Sequence, residues 1–143
     1  MPYLQAFVKE LLQKHPLTYF SLTHASVEAM KLDVPPDANL ELFLPTIAED
    51  ERLWLKSLEF NPERFISSGE MTDITGLAGI RMILFGAGRR ICPSLAMGTT
   101  HISLMVAWMV QAFEWRLHPA EPKLDFQDTV EWTVVMKRYS REG

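Results

Sequence analysis

The chain has 143 residues, of which 48% are hydrophobic, and its formal net charge is −4. This length favours one core over two, the mild acidity without a basic block disfavours nucleic acid as a partner, and a single cysteine excludes an internal disulfide and multi-cysteine zinc sites. The apolar fraction is high for a small soluble domain and indicates a surface that packs against a neighbour.

No segment predicts export or membrane insertion. The first ten residues, MPYLQAFVKE, lack the charged start and apolar core of a signal peptide. The most apolar run, residues 102–110, has 9 residues, whereas a bilayer span needs roughly 20. We therefore expect no membrane-spanning segment in this chain and a reducing compartment for its one thiol.

The first part of the chain predicts a helix followed by a small sheet. Apolar residues at helical spacing predict a helix over Pro2–Lys14, which has a proline in its first turn and ends before Pro16. Residues 18–25 and 39–44 are rich in strand-forming side chains, and VPPD at 34–37 predicts a turn between them. Two short paired strands are therefore expected.

The second part predicts a long buried helix between irregular segments. A short acidic helix is expected over residues 49–56, and an irregular but packed segment over 60–79. Residues 93–113 are apolar almost all round, which is typical of a buried helix. The β-branched run 130–136 predicts a terminal strand that forms a hairpin with Leu124 or Phe126.

The stretch FGAGRRICP at 85–93 contains the only cysteine, Cys92. It places the thiol at the start of the predicted long helix, where unpaired N–H groups and two arginines make the surroundings electropositive. Two glycines let the backbone approach a flat ligand, and an arginine offers a planar fork for a carboxylate. A lone cysteine is more often an inert buried thiol, but a bound metal deprotonates a thiol outright.

The spacing in this stretch resembles the heme-binding signature of the cytochrome P-450 family, F-x-x-G-x-R-x-C-x-G, with Phe85, Gly88, Arg90 and Cys92 in register. An E-x-x-R-like helix at the start of the chain and the FNPERF box at 60–65 follow the order of that family's landmarks. The resemblance covers essentially the whole chain. It is closest to plant microsomal members that oxidise fatty-acid chains.

The resemblance implies an α+β fold: the mainly helical C-terminal part of the cytochrome P-450 fold with small β-sheets, incomplete as a domain. Residues 1–143 would form this one partial domain, and the chain would be a C-terminal fragment of a longer protein. Everything before the family's E-x-x-R helix would be absent, including the membrane anchor and most of the substrate pocket.

The cofactor implied by the resemblance is heme b, held through the thiolate of Cys92 as axial ligand of the iron. Arg90 and His24 would hold the heme propionates by charge-assisted hydrogen bonds. Phe85 would pack near the sulfur and limit water, and Gly88 would let the backbone approach the macrocycle. No residue of this chain is assigned a catalytic role.

The implied activity is that of a monooxygenase, which incorporates molecular oxygen into a lipophilic, fatty-acid-like substrate. Residues 17–22 and 131–133 would border that substrate. The implied partner is an NADPH-dependent flavoprotein reductase, and Arg81 and Arg89 would belong to the basic face that docks it. Intact members lie in the endoplasmic reticulum membrane, whereas this chain without an anchor would be cytoplasmic if expressed as is.

The chain also departs from the family pattern. Glu10 and Arg64 would form part of the family's Glu/Arg/Arg network, but Gln13 stands where the second arginine is expected, and a neutral amide cannot replace its charge. Three further differences concern Ser94 for a glycine, Leu84 for a proline, and Asp37 for a turn glycine of related plant sequences.

Other functions remain open from the sequence. The chain would also suit a truncated or pseudogene product that neither retains heme nor turns over, or a cysteine-nucleophile enzyme with a histidine base. His24 as an ordinary strand residue and Glu10 paired with Lys14 on an exposed face are the structural alternatives. GAGRRI is similar to a dinucleotide fingerprint, but Ile91 stands where the third glycine belongs, so that function is rejected.

Overall fold

A computed structural model of the chain describes residues 1–26, 34–67, 74, 81–117, 119, 128–130 and 133–136. The helices are α1 (Pro2–Lys14), α2 (Leu44–Ala48), α3 (Arg64–Ser67) and α4 (Leu95–Ala112), with a 3₁₀ turn at Gly88–Arg90. The strands are β1 (His24–Ala25), β2 (Asn39–Leu40), β3 (Asp128–Val130) and β4 (Val134–Met136). Helices combined with short antiparallel strand pairs confirm the predicted α+β class.

Helix α1 has the bounds that the apolar spacing predicts. Pro2 stands in the first turn, where backbone N–H groups have no helical partner, and the His15 N–H closes the last turn on the Leu11 carbonyl oxygen at 2.9 Å. The inner face of α1 buries apolar and polar side chains alike, namely Ala6, Val8, Glu10, Leu12 and Gln13.

The core lies where α1 meets the segments that follow it. Trp54, Phe65 and Met82 pack against the apolar residues of α1, and the rings of Trp54 and Phe65 have centroids 5.4 Å apart. Helix α1 also contacts both α3 and α4. Phe85 and Ile102 are partly buried against the same cluster, which ties the cysteine stretch and α4 to the core.

The predicted sheet is present, but its strands are shorter than expected. In the antiparallel pair of β1 and β2, His24 lies opposite Leu40 and Ala25 opposite Asn39. The strands predicted over 18–25 and 39–44 are therefore too long. At the ends away from the turn, an isolated bridge joins Phe20 to Phe43. A proline in the first turn of α2 stops the second extended segment.

The turn predicted at 34–37 is confirmed. Asp37 has a φ of 63°, in the left-handed region, and its N–H donates to the Ser26 carbonyl oxygen at 2.8 Å. The Ser26 N–H in turn donates to the Ala38 carbonyl oxygen at 2.9 Å, so the turn is bonded back to the end of β1.

The helix predicted over residues 49–56 is wrong, because the helix in this region is α2, which ends at Ala48. The Asp50 carboxylate accepts the Arg52 N–H at 2.9 Å, and the Asp50 carbonyl oxygen accepts the Leu53 and Trp54 N–H groups at 2.9 Å, so one turn forms after Asp50. Lys56 has a φ of 54°, which no right-handed helix accommodates.

The segment expected to be irregular over 60–79 contains the short helix α3, and residues 68–73 and 75–80 lie outside the described part of the chain. At the end of the chain, β3 and β4 form an antiparallel pair with Thr129 opposite Val135. The strand predicted over 130–136 is confirmed at Val134–Met136, whereas Val130 belongs to β3, and residues 131–132 lie outside the described part of the chain. The expected partners at 124–126 are likewise outside the described residues.

Helix α4 confirms the prediction of a long helix but contradicts its predicted burial. Against the described part of the chain none of its residues is buried. More than half of the side-chain surface is exposed at several large apolar positions, namely Met97, Leu104, Met105, Trp108 and Val110. A helix that is apolar all round is buried only when other elements surround it, and here α1 covers one face. No helix among the described residues is long and apolar enough to cross a membrane.

Candidate functional site

Cys92 lies in a loop, residues 85–92, that backbone hydrogen bonds close between the core and α4. The Cys92 N–H donates to the Phe85 carbonyl oxygen at 2.7 Å, so the two ends of the loop meet. The Gly86 N–H donates to the Ile83 carbonyl oxygen at 2.9 Å, and the Leu95 N–H donates to the Cys92 carbonyl oxygen at 3.2 Å. These bonds fix the backbone of Cys92 directly before the first turn of α4, as the sequence predicts.

Two glycines give this cysteine loop backbone angles that other residues adopt at a cost. Gly86 and Gly88 have φ values of 77° and 61°. A Cβ at Gly86 would lie 3.1 Å from the carbonyl oxygen of Arg90, whereas a Cβ at Gly88 would meet nothing within 4 Å. Gly86 is thus needed for the loop to close, and Gly88 borders open space that a flat ligand can approach.

The side chains of the loop differ in exposure. Cys92 and Phe85 are half-buried, and Arg90 is exposed. The Phe85 ring faces α4, since a Cβ at Gly98 would lie 4.0 Å from its Cε1 atom. The loop therefore brings four of the five predicted cofactor-binding residues into one short closed segment: Phe85, Gly88, Arg90 and Cys92.

The fifth predicted residue, His24, lies on β1 and is exposed. Its ring Nδ1 is 2.7 Å from the Leu22 carbonyl oxygen, a contact within its own segment. Among the described residues no contact joins His24 to the cysteine loop. Its role toward a propionate stays a prediction.

Two histidines bear on the alternative of a cysteine nucleophile. His24 and His101 each place Nδ1 at a backbone carbonyl oxygen, and in the described residues neither contacts the Cys92 sulfur. His118 lies outside those residues. In the same part of the chain, no group of three or more His, Cys, Asp or Glu side chains could hold a metal ion. Neither His24 nor His101 is therefore placed as a base for Cys92.

Arg64 holds the loop at 55–61 against α1. Its guanidinium donates at distances of 2.6–3.2 Å to the carbonyl oxygens of Leu55, Lys56, Glu59 and Asn61. Its Nε atom also lies 3.0 Å from Oε2 of Glu10. The predicted ion pair is therefore present and buried, which rules out Glu10 on an exposed face.

Glu10 is fully buried and incompletely hydrogen-bonded. Its Oε1 accepts the Asn61 N–H at 2.7 Å, while its Oε2 has the Arg64 charge beside it but no aligned hydrogen bond in the described residues. Burial raises the pKa of Glu10 above its ordinary value of 4.5, and the Asn61 N–H and the charges of Arg64 and Lys14 only partly offset that effect.

Gln13, at the position where the resemblance expects a second arginine, is 1% exposed. Its Nε2 donates to the Ala48 carbonyl oxygen at the end of α2, and its Oε1 has no hydrogen-bond partner among the described residues. Sequence reasoning identified the substitution but missed this contact. The two residues are 35 positions apart, and no local pattern joins them.

The cysteine loop fits a heme with one thiolate ligand. It offers a half-buried thiol on a backbone fixed by hydrogen bonds, an exposed guanidinium two residues before it, and open space over Gly88. Ser94 does not disturb this arrangement. Its φ of −92° and ψ of 9° need no glycine, and its side chain is exposed.

The chain is similar in sequence to a known protein family and to individual plant enzymes. The family model described as cytochrome P450 matches residues 1–142. The (S)-N-methylcoclaurine 3'-hydroxylase isozyme 1 of Papaver somniferum is 42% identical over 118 residues, which cover 80% of this chain and 24% of that protein. A flavonoid 3'-monooxygenase of Arabidopsis thaliana is 39% identical over 122 residues, covering 82% of this chain and 24% of that protein.

The fold is similar to that of solved structures. A zebrafish cytochrome P450 solved with abiraterone superposes with a TM-score of 0.81 over 96% of this chain and 32% of that one, at 23% sequence identity. The chain spans about a quarter of the length of the curated relatives it matches.

Proposed function

The chain belongs to the cytochrome P450 family, and we propose that it supplies the cysteine-bearing side of a heme-dependent monooxygenase. The observation that carries this proposal is the closed loop that holds Cys92 before α4 with Phe85, Gly88 and Arg90 in the same segment. The family match supports heme as the cofactor. The loop supplies a thiol that could bind the iron, a guanidinium that could bind a propionate, and an open surface for the macrocycle.

Each loop residue has a definite task in this proposal. Cys92 would hold the heme iron through its thiolate sulfur. Arg90 extends an exposed guanidinium that can hydrogen-bond to a propionate, and Phe85 shields the sulfur with a half-buried ring. Gly86 keeps the loop closed. Heme, when bound, supplies the activation of dioxygen.

The substrate is proposed at the level of a lipophilic small molecule. The fatty-acid class expected from the sequence stays a prediction, because the two plant relatives are named for a flavonoid and for (S)-N-methylcoclaurine. Residues 131–132, which belong to the predicted substrate border, lie outside the described part.

The electron donor is proposed to be a flavoprotein reductase. Arg81, just before the cysteine loop in the sequence, and Arg89, within it, are both exposed, which provides positive charge for an acidic partner. The locations expected from the sequence, the endoplasmic reticulum membrane for a complete protein and the cytoplasm for this chain, stay predictions.

The test is reconstitution of the 143-residue chain with hemin, followed by reduction and exposure to carbon monoxide. We expect the strongly red-shifted Soret band of a thiolate-ligated heme, and we expect Cys92→Ser to abolish it. Ser94→Gly, in the same segment but exposed, is the matched control and should retain the band. A band that persists in Cys92→Ser would overturn the proposal.

The same comparison should be repeated in a hybrid in which this chain replaces the matching quarter of the Papaver somniferum hydroxylase. The hybrid contains the rest of the Papaver somniferum hydroxylase. It therefore distinguishes two reasons for a missing band: either the loop does not ligate heme, or the 143-residue chain alone does not retain it. Loss of the band in the hybrid with Cys92 intact would also count against the proposal.

A further inference from the structure

Backbone carbonyl oxygens of the loop at 55–61 accept hydrogen bonds from two cationic side chains on different helices. Arg64, the first residue of α3, donates to several of them at 2.6–3.2 Å. Lys14, the last residue of α1, donates from Nζ to the Ser57 carbonyl oxygen at 3.0 Å. This second bond is partly buried and joins residues 43 positions apart, so it fastens the loop to α1.

The same two cations act on the buried carboxylate of Glu10. The Nε atom of Arg64 lies 3.0 Å from Oε2 of Glu10. Lys14 follows Glu10 by four residues on α1, which is the favourable order and spacing for a glutamate and a lysine on one helix. Its charge lowers the pKa of Glu10, as that of Arg64 does. Because Glu10 is fully buried, these attractions act in surroundings less polar than water.

The residue next to Lys14 brings no charge to this carboxylate. Gln13 stands where the resemblance expects a second arginine, and its Nε2 donates to the Ala48 carbonyl oxygen, so its amide joins α1 to the end of α2. A buried carboxylate is costly unless opposite charges and hydrogen bonds compensate it. The compensation that Gln13 does not give must come from a neighbouring position.

We propose that Lys14 takes over the charge of the missing arginine: it gives Glu10 a second positive neighbour while its bond to Ser57 holds the loop at 55–61 on α1. Lys14 is in this account a positioning residue. A lysine can do this from position 14 because its long stem carries the ammonium group past the helix end to the loop.

The core connects this network to the cysteine loop. Trp54 precedes the loop at 55–61, Phe65 follows Arg64, and both pack in one cluster with Met82. Phe85, at the start of the cysteine loop, is partly buried against the same cluster. Any value of Lys14 for heme binding rests on the proposed function, whereas the charge network itself does not.

A double-mutant cycle on the 143-residue chain tests the proposal. Urea unfolding is measured for the wild type, Lys14→Met, Glu10→Gln and the double variant, in mildly alkaline buffer that favours the ionised carboxyl. Methionine keeps most of the side-chain length and removes the charge. We expect Lys14→Met to raise the unfolding equilibrium constant about fivefold more in the wild type than in the Glu10→Gln background.

An equal effect of Lys14→Met in both backgrounds would overturn the proposal, because Lys14 would then act through the Ser57 carbonyl oxygen alone. The experiment contains no heme. A failed cycle therefore leaves the proposed function standing, and a failed heme reconstitution leaves this network standing.

Two further variants separate charge from bulk. Lys14→Arg keeps a cation with N–H donors and should stay close to the wild type in both backgrounds; behaviour like that of Lys14→Met would contradict a role for the charge. Lys56→Met is the matched control, since Lys56 belongs to the same loop but is exposed, with its ammonium group 3.2 Å from the Glu59 carboxylate. Coupling of Lys56→Met to Glu10→Gln as large as that of Lys14→Met would also overturn the proposal.

Discussion

Glu10 and Gln13 lie one turn apart on α1, and each places a polar atom in the interior without an aligned hydrogen bond among the described residues. An unsatisfied buried polar group costs about 1–3 kcal/mol. The chain bears this cost on the same helix face that forms its core, and Arg64 offsets part of it by its 3.0 Å ion pair with Glu10. The protonation state of Glu10 therefore contributes to the stability of α1.

Glu10→Gln is expected to change how stability depends on pH. Because the folded-state pKa of Glu10 is raised above 4.5, the folded chain binds this proton more tightly than the unfolded chain does. The contribution of Glu10 to the free energy of unfolding is thus full below pH 4.5 and is lost as pH rises through the raised pKa. In urea unfolding, Glu10→Gln should gain stability relative to the wild type as pH rises across this window.

The control for this experiment is Glu59→Gln, whose carboxylate is exposed and 3.2 Å from the Lys56 ammonium group. It should follow the wild type at every pH. If the stability difference between Glu10→Gln and the wild type stays constant across the window, the raised pKa of Glu10 is contradicted.

Asp37→Gly is expected to stabilise the chain by about 0.5–1 kcal/mol. A left-handed backbone conformation is unfavourable for a residue with a Cβ atom, whereas glycine adopts it without that penalty. Asp37 has a φ of 63° and an exposed side chain, so the exchange removes strain without removing a core contact. Urea midpoints measure the effect, with Asp37→Ala as the control that keeps a Cβ. Equal stability of the two variants would show that the turn is not strained.

The closed cysteine loop makes a matched pair of glycine exchanges informative. Gly86→Ala brings a Cβ to 3.1 Å from the Arg90 carbonyl oxygen. The Cβ of Gly88→Ala has no atom within 4 Å, so this exchange costs only the conformational energy of a φ of 61°, about 1 kcal/mol. Since Cys92 is the only cysteine, the rate of its reaction with a maleimide reports on loop closure. We expect a clear rise in rate for Gly86→Ala and little change for Gly88→Ala; equal rates would contradict this role of Gly86.

Helices α1 and α4 are expected to respond differently to the same exchange. Leu12 on α1 is 4% exposed and Leu104 on α4 is 63% exposed. Leu12→Ala should therefore lower the free energy of unfolding by about 2–4 kcal/mol, and Leu104→Ala by less than about 1 kcal/mol. Urea unfolding of both variants measures this. A comparable loss for Leu104→Ala would mean that α4 is covered in the free chain, for example by self-association, which sedimentation would detect.

The described residues of the molecule expose a large apolar surface. Large apolar side chains on α4 and after it contribute to this surface, among them Trp108, Phe113 and Trp115. The high apolar fraction of the sequence predicted such a surface.

The sequence predicted those parts of the fold that depend on interactions between residues close together in the chain. The bounds of α1 follow from apolar spacing and two prolines, and the turn at 34–37 follows from its own residues. The cysteine loop was placed correctly because its glycines and Cys92 are close in sequence. These elements need no information from distant parts of the chain.

Features that depend on distant residues could not be predicted in this way. The exposure of α4 depends on what surrounds it, and the acidic composition of residues 49–56 did not reveal the positive φ of Lys56, which no helix over these residues accommodates. The unpaired oxygen of Gln13 and the carbonyls around Arg64 depend on contacts between separate segments. Only the folded arrangement brings these groups together.

The most direct measurement of the central claim is resonance Raman spectroscopy of the heme-reconstituted chain, prepared with and without heavy-sulfur-labelled cysteine. Because Cys92 is the only cysteine, the label marks one candidate ligand. An iron–sulfur stretching band that moves to lower frequency with the label is predicted. A heme-bound chain whose spectrum shows no label-dependent band would contradict ligation by Cys92.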